Sequence, residues 1–330
     1  SDFAISGQTS ITANTGAIDA TVAAGDVTLT GTTTLTAQTD LRLKVTDAGD
    51  IAMSGGSTIT ATTGDLEISQ GTGDLSFKDS STLTAGNDIA ITVTDGDLKT
   101  SSATTLRSGK DITVDLQSGS ATLIHRSIMD AGNTLTLKAS DGVAGSGLTD
   151  LLGGQQVQLE INKGDGTFIN TAKVLSGQGD VSLKIDIGSL SLRDETSVQA
   201  AKVVSITIGA GDVTLADDGK ITAETDAFVE IGTGNLILIE DTTITAGEDL
   251  DVKIGSGLVE LNDNTVLRAR DTLNITVERG GVTMEDAETL ITATDIIIRV
   301  LDGLTLDQYG DVRIDLIEAL SSARIEALGG

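Results

Sequence analysis

The chain has 330 residues, only 2% of them aromatic, and it contains no proline, cysteine or tryptophan. Its 49 Asp and Glu outnumber 21 Lys and Arg and give a formal net charge of −28, which excludes nucleic acids and anionic membranes as partners because both need clustered cations. The lack of cysteine excludes disulfides and thiolate metal sites, no apolar run is long enough for membrane insertion, and the lack of proline indicates β-sheet almost throughout.

An internal repeat of 22 to 24 residues runs along the chain. Each unit holds three short runs in which apolar and polar residues alternate, as in half-buried strands, and Gly, Asn, Asp and Ser separate the runs as turn residues. In the unit that begins at Asp26 the apolar members are Val27 and Leu29, then Leu35 and Ala37, then Leu41, Leu43 and Val45. A hairpin array would need a two-residue Asn-Gly or Asp-Gly turn between successive runs, and the repeat does not supply one at each of these boundaries. The spacing therefore predicts an all-β fold, a single-stranded parallel β-helix (β-solenoid) of about 14 coils with three short strands per coil.

Stacked coils place equivalent residues about 4.8 Å apart, so that each inward position becomes a ladder. We predict one apolar ladder at Leu35, Ile59, Leu83, Leu106, Ile221, Ile244, Leu267 and Leu290. A small-residue ladder follows two positions later at Ala37, Ala61, Ala85, Ala223, Ala246 and Ala269. Glycines that close the coils are predicted to supply a positive φ or a close approach between coils: Gly49, Gly73, Gly96, Gly119, Gly142, Gly166, Gly211, Gly234, Gly257, Gly280 and Gly303.

A single solenoid domain is predicted over residues 1–330, with regular coils at 2–119 and 212–303. Residues 120–211 lose the Asp markers and are predicted to form irregular coils, with a bulge or an excursion near 142–156. Residues 311–330 are predicted to cap the C-terminal end. Helical spacing of Ile317, Leu320, Arg324 and Leu328 favours a short helix there, and a further irregular coil fits nearly as well.

Rows of acidic turn residues form the most suggestive candidate site. One row holds Asp26, Asp50, Asp74 and Asp97, and another holds Asp40, Asp88, Asp111, Asp226, Asp249 and Asp295. Calcium would relieve the repulsion between stacked carboxylates. However, the nonapeptide of calcium-binding β-rolls does not occur, and Asp side chains also cap backbone N–H groups at turns. We therefore favour a structural role and predict no metal or cofactor site, with calcium at the acidic turns as the weaker alternative.

Catalytic constellations are poorly represented. His125 is the only histidine, and we expect it to be a surface residue. Asp217-Asp218 and Glu240-Asp241 could supply the paired carboxylates of a polysaccharide-active enzyme. The predicted loops are short, however, and the sequence offers few aromatic platforms and no basic cluster. The chain is therefore predicted not to be an enzyme and to have no catalytic residues.

The strings LTAGNDIAITVTDGDL, ITAGEDLDVKIGSG and MDAGNTLTLKASDG carry a family resemblance. They resemble the haemagglutinin-type repeats of bacterial filamentous haemagglutinin-like exoproteins and giant repetitive adhesins, in which a small residue, Gly and Asn or Asp precede an alternating strand. The period here is longer than in those repeats. The resemblance implies a right-handed β-helix at a bacterial cell surface that serves in adhesion, biofilm or filament structure.

These observations predict a non-catalytic extracellular structural or adhesive rod, a segment of a large bacterial adhesin that binds a cell-surface glycan or protein. The alternative is a filament or matrix subunit that joins copies of itself end to end, with cations as a stabilising factor. A polysaccharide-active β-helix enzyme is the remote alternative. Because Asp2-Phe3-Ala4-Ile5 is already in strand register, we expect a fragment of a longer protein or a first coil that meets another subunit.

Overall fold

The computed structural model describes residues 2–284, 289–301 and 317–327. In these residues the chain consists of β-strands and turns without any helix, and the strands pair in parallel as a β-solenoid of about 13 turns. The predicted fold class is thereby confirmed. Across the same residues, no helix has the length and apolar character needed to cross a membrane. Contacts divide the chain into two compact units, Ser1–Asn162 and Lys163–Gly330.

The first unit contains three strands per turn. In chain order they are β1 (Phe3–Ile5), β2 (Ser10–Ala13), β3 (Ile18–Val22), β4 (Val27–Leu29), β5 (Thr34–Ala37), β6 (Leu41–Ala48), β7 (Ile51–Met53), β8 (Thr58–Ala61), β9 (Leu66–Thr72), β10 (Leu75–Phe77), β11 (Thr82–Ala85), β12 (Ile89–Asp95), β13 (Leu98–Thr100), β14 (Thr105–Ser108), β15 (Ile112–Leu116), β16 (Ser120–Ile124), β17 (Ile128–Ala131), β18 (Thr134–Ala139), β19 (Gly142–Ser146), β20 (Asp150–Gly153) and β21 (Gln156–Lys163). Each strand pairs with the strand one turn later, as β1 does with β4, β2 with β5 and β3 with β6.

The second unit continues the same plan, with neighbouring strands merging toward its end. Its strands are β22 (Gly166–Ile169), β23 (Lys173–Ser176), β24 (Asp180–Ile187), β25 (Leu190–Leu192), β26 (Ser197–Ala200), β27 (Val204–Ala210), β28 (Val213–Leu215), β29 (Lys220–Ala223), β30 (Ala227–Thr233), β31 (Leu236–Leu238), β32 (Thr243–Ala246), β33 (Leu250–Leu261), β34 (Val266–Ala269), β35 (Thr272–Met284), β36 (Leu290–Val300) and β37 (Ile317–Ala327). Here β33 and β35 each join the third strand of one turn to the first strand of the next.

Inward side chains form the predicted ladders in both units. In the first unit Leu35, Ile59, Leu83 and Leu106 stack in register, and the small-residue ladder contains Ala37, Ala61 and Ala85. These side chains are almost fully buried, and complete burial of each Leu or Ile stabilises the fold by about 1.5–3 kcal/mol. The predicted ladder position of Leu290 is wrong: the register partner of Leu267 is Ile291, which is buried, while Leu290 pairs with Val266.

The predicted irregularity near residues 142–156 is not found. Strands β19, β20 and β21 pair with the preceding turn without any register shift, at a spacing of 22 residues, as in Ser120↔Gly142. The shifted apolar register of the sequence therefore reflects a slightly shorter turn. A register shift occurs instead between β6 and β9, at Val45/Ala48, inside the part of the sequence that is most regular.

One glycine row shows why the coils close on this residue. Gly96 and Gly119 have φ of 150° and 148°. A Cβ at Gly119 would overlap the carbonyl oxygen of Gly96, one turn earlier. The prediction of a positive φ or a close approach is confirmed for this row. Gly166 is an exception, because the positive φ of its turn belongs to Gly164; Gly303 lies outside the described residues.

The C-terminal segment is a strand where a helix was predicted. Ile317–Ala327 pairs in parallel with β36, from Ile291↔Ile317 to Val300↔Ala327, with a register shift between Ala293 and Asp295. The helical prediction is therefore wrong for these residues. The rest of the predicted cap at 311–330 lies outside the described residues.

Candidate functional surface

The first acidic row joins successive turns through the backbone. The N–H groups of Asp50, Asp74 and Asp97 donate to the Oδ1 atoms of Asp26, Asp50 and Asp74, at 2.9, 2.9 and 3.0 Å. Ser120 N–H continues the row by donating to Asp97 Oδ1 at 2.9 Å. Each carboxylate thus accepts the N–H that begins the next turn, which is the capping role expected of Asp in turns.

The second acidic row uses the same contact at another corner of the coil. The N–H groups of Asp88, Asp111 and Thr134 donate to Asp65, Asp88 and Asp111 at 3.3, 3.1 and 3.0 Å. Asp65 itself donates to Asp40 and fills the position missing from the predicted row. In the second unit, Asp249 donates to Asp226 at 3.2 Å and Thr272 donates to Asp249 at 2.9 Å. The predicted row residue Asp295 accepts a hydrogen bond from the Ser322 hydroxyl at 2.8 Å.

Asp97 shows how this environment acts on a carboxylate. Partial burial raises the pKa of Asp97, but the Ser120 N–H and hydroxyl, with the ammonium of Lys99, outweigh burial and hold it below its ordinary value. The charged form is therefore satisfied by the protein's own donors. Within residues 2–284, 289–301 and 317–327, no group of three or more His, Asp or Glu has the arrangement of a metal site.

A second type of corner contains two successive residues in the left-handed region. Asp217 and Asp218 have φ of 52° and 63°, and Glu240 and Asp241 have φ of 59° and 60°. Asp and Asn tolerate this conformation better than most residues because their side chains bond locally. In the second unit the corner row is strongly acidic, with exposed residues Asp194, Glu195, Asp217, Asp218, Glu240, Asp241 and Asp263.

The paired carboxylates considered for catalysis lie in this row. Asp217 and Glu240 belong to adjacent turns, and the hydrogen bond and negative charge of Asp217 raise the pKa of Glu240. Both side chains are exposed at the corner. The raised pKa therefore reflects repulsion between stacked carboxylates. Both carboxylates are in contact with water, which screens the field that each exerts on the other.

A buried hydroxyl row underlies these corners and was not predicted. In successive turns the side-chain hydroxyl donates to the carbonyl oxygen three residues earlier, as in Ser81 to Lys78 at 2.6 Å and Thr104 to Ser101 at 2.8 Å. The row comprises Thr33, Ser57, Ser81, Thr104, Ser127, Thr149 and Thr196. Its sequence signal is a Ser or Thr two positions before the inward residue of the second strand. These hydroxyls fix the corner conformation from inside.

Ion pairs on the outer strand faces also connect neighbouring turns. Arg107 contacts Asp130 at 2.9 Å, and Lys138 contacts Glu160 at 2.8 Å, a hydrogen bond that raises the pKa of Lys138. All of these side chains are at least one-third exposed, so each pair contributes only about 0–1 kcal/mol. His125, the single histidine, lies exposed at a left-handed corner with φ of 53°, in agreement with its prediction as a surface residue.

A groove on the outer face of the second unit interrupts this polar surface. It has a volume of about 410 Å³ and is lined by Phe228, Glu230, Asp251, Lys253, Asn274 and Thr276, over the backbone of Val229 and Val252. Strands β30, β33 and β35 place these side chains on adjacent turns, with Phe228 beside Asp251 and Asp251 beside Asn274. No pattern in the sequence singled out this groove.

No family model, no curated protein and no solved structure matches the chain.

Proposed function

We propose that the chain is a non-catalytic structural and adhesive segment of a bacterial surface protein, which acts outside the cell and binds a cell-surface glycan or protein. The observation that carries the proposal is the use of the polar turn residues. Both acidic rows join one turn to the next through carboxylates and backbone N–H groups, so the residues that suggested metal binding act as structural contacts.

The outer strand faces support the adhesive part of this proposal. Parallel pairing repeats each outward position about every 4.8 Å, which produces an extended array of side chains on a stable backbone. Repeat proteins bind through such extended surfaces. The resemblance to haemagglutinin-type repeats favours the same role and a bacterial surface location.

A direct attachment assay tests the proposal. Beads coated with the protein should attach to bacterial or host cells, while beads coated with an unrelated protein of similar negative charge should not. Protease or glycosidase treatment of the cells then identifies the receptor class. Antibody labelling of intact source cells tests the location. Equal attachment of the two bead types, or labelling only after permeabilisation, would contradict the proposal.

End-to-end assembly is the second candidate, and Ile11 in β2 favours it. Ile11 is 40% exposed, although its register partner Leu35 is almost fully buried. An exposed apolar side chain is a contact site for a second copy of the chain. Sedimentation over a range of protein concentrations should show growing assemblies for this candidate, and Ile11→Asp should abolish them. The same run in calcium and magnesium at matched ionic strength tests cation stabilisation.

A further inference from the structure

Phe228 is an exposed aromatic residue on the outer surface of the second unit. Aromatic residues make up 2% of the chain, and Phe77 and Phe168 are fully buried in the core. Phe228 instead occupies an outward strand position and is 37% exposed. Neighbouring turns carry Ser205 and Asp251 at the equivalent position. The solenoid therefore exposes a large apolar ring at a position where a polar residue suffices for folding.

Polar groups of three chemical types surround this ring. The Asn274 amide donates to Asp251 Oδ1 at 3.1 Å, and Lys253 Nζ lies 3.4 Å from Glu230 Oε1. Carboxylate, amide and ammonium groups together supply both acceptors and donors. With a volume of about 410 Å³, the groove lies in the size range of small-molecule sites, which combine an apolar surface with a few polar groups.

We propose that this groove is a carbohydrate-binding site and that its ligand is a neutral glycan, an inference that rests on the proposed adhesive function and names its partner class. The C–H-rich face of a sugar ring packs against the face of Phe228, because the negative π face attracts polarised C–H groups. The hydroxyls around the sugar both donate and accept hydrogen bonds, which matches the mixed polar rim.

The net charge of the protein and the charged groups of the groove favour a neutral sugar as the ligand. The net charge of −28 repels uronates and other anionic sugars. Lys253 lines the groove, where its ammonium repels a cationic ligand, and its ion pair with Glu230 leaves no free positive charge for an anionic ligand. The backbones of β30 and β33 already pair with strands on both sides, which leaves no edge here for an extended peptide.

Native gel electrophoresis provides the test, because the strongly acidic protein migrates well at neutral pH. Gels containing hydroxyethylcellulose, xyloglucan or dextran represent neutral glycans, and a gel containing polygalacturonate represents anionic ones. At least one neutral polysaccharide should retard the protein. Phe228→Ala should weaken this retardation about tenfold, as expected for loss of an aromatic contact. Phe228→Tyr should preserve it, and Ser205→Ala, one turn earlier on the same face, is the matched control.

Several results would overturn the inference: no retardation by any neutral polysaccharide, equal retardation by polygalacturonate, unchanged retardation of the Phe228→Ala variant, or release by tetramethylammonium, which would identify a cation site. Thermal unfolding verifies that the variants are folded. The bead assay separates this inference from the proposed function. Attachment that survives Phe228→Ala leaves the adhesive function intact without this site, whereas Phe228-dependent retardation without attachment supports the site and removes the adhesive function.

Discussion

Thr100 occupies a core ladder position that suits an apolar residue. Its register partners are Phe77 and Leu123, both fully buried, and Thr100 itself is 1% exposed. Its hydroxyl has no hydrogen-bond partner among the described residues. Thr100→Val keeps the shape of the side chain and removes this hydroxyl, so we expect the variant to be more stable than the wild-type protein.

The magnitude follows from the cost of an unsatisfied buried polar group, about 1–3 kcal/mol. We expect a gain near the lower end, about 1 kcal/mol, because the wild-type backbone can adjust to the hydroxyl. Thr104→Val is the matched control. The Thr104 hydroxyl lies 2.8 Å from the carbonyl oxygen of Ser101 and 3.0 Å from that of Phe77, so its removal should cost about 1–2 kcal/mol.

Urea unfolding followed by circular dichroism measures both variants, and thermal unfolding gives an independent scale. A change of 1 kcal/mol moves the midpoint of a domain of this size by about 2 °C. Thr100→Val should shift it upward and Thr104→Val downward. If both variants lose stability to the same extent, the hydroxyl of Thr100 is satisfied in solution and the reasoning is refuted.

Three further predictions concern the turns. Asp97→Ala should lower the thermal midpoint at pH 7, and the difference from the wild-type midpoint should shrink below about pH 4. A carboxylate whose pKa is lower in the folded state stabilises the fold above its unfolded pKa and loses this effect when it is protonated. A difference in midpoint that does not depend on pH would contradict this reasoning. Glu240→Gln should raise the thermal midpoint at pH 7, since a raised carboxylate pKa means that folding favours the protonated form. The substitution should have no effect once the pH falls below the ordinary pKa of a Glu carboxyl, because Glu240 is then protonated in both the folded and the unfolded state. Glu67→Gln, which breaks a 3.2 Å ion pair, should instead lower the midpoint slightly, so shifts of the same sign would refute the repulsion at Glu240. Gly119→Ala should lower the free energy of unfolding in urea by at least about 3 kcal/mol, because the added Cβ would overlap the preceding turn. Gly16→Ala is the control and should be neutral, because the space around Gly16 is open. Similar losses of stability in the two variants would contradict the close approach at Gly119.

The sequence was sufficient to predict the ladders because alternation and a constant period reinforce each other. Leu35 and Ile59 recur with identical neighbours, which leaves one register. Leu290 and Ile291 are adjacent and both apolar, so alternation alone cannot choose the inward residue. A buried Thr decides it, because Thr289 precedes Ile291 by two positions, as Thr265 precedes Leu267 and as Thr104 of the hydroxyl row precedes Leu106.

Other features depend on contacts that no local pattern encodes. The segment around Ile317 is rich in helix-forming residues, but pairing with β36 overrides that propensity. The left-handed corners were missed because non-glycine residues such as Glu240 rarely adopt positive φ. The Phe228 groove brings together residues that are 23 positions apart in sequence, as in the Asn274–Asp251 hydrogen bond, and becomes visible only when the turns are stacked.

The Asp–backbone contacts also give the solenoid a direction of growth. In each of them the carboxylate belongs to the earlier turn and the N–H to the later one, as in Asp74 and Asp97. A nascent chain that has completed one turn therefore already presents the acceptor for the next turn, before that turn has emerged. Since repeat structures propagate by adding units to a folded neighbour, each anchoring step is prepared in the order in which a ribosome delivers the chain, from the N-terminus to the C-terminus.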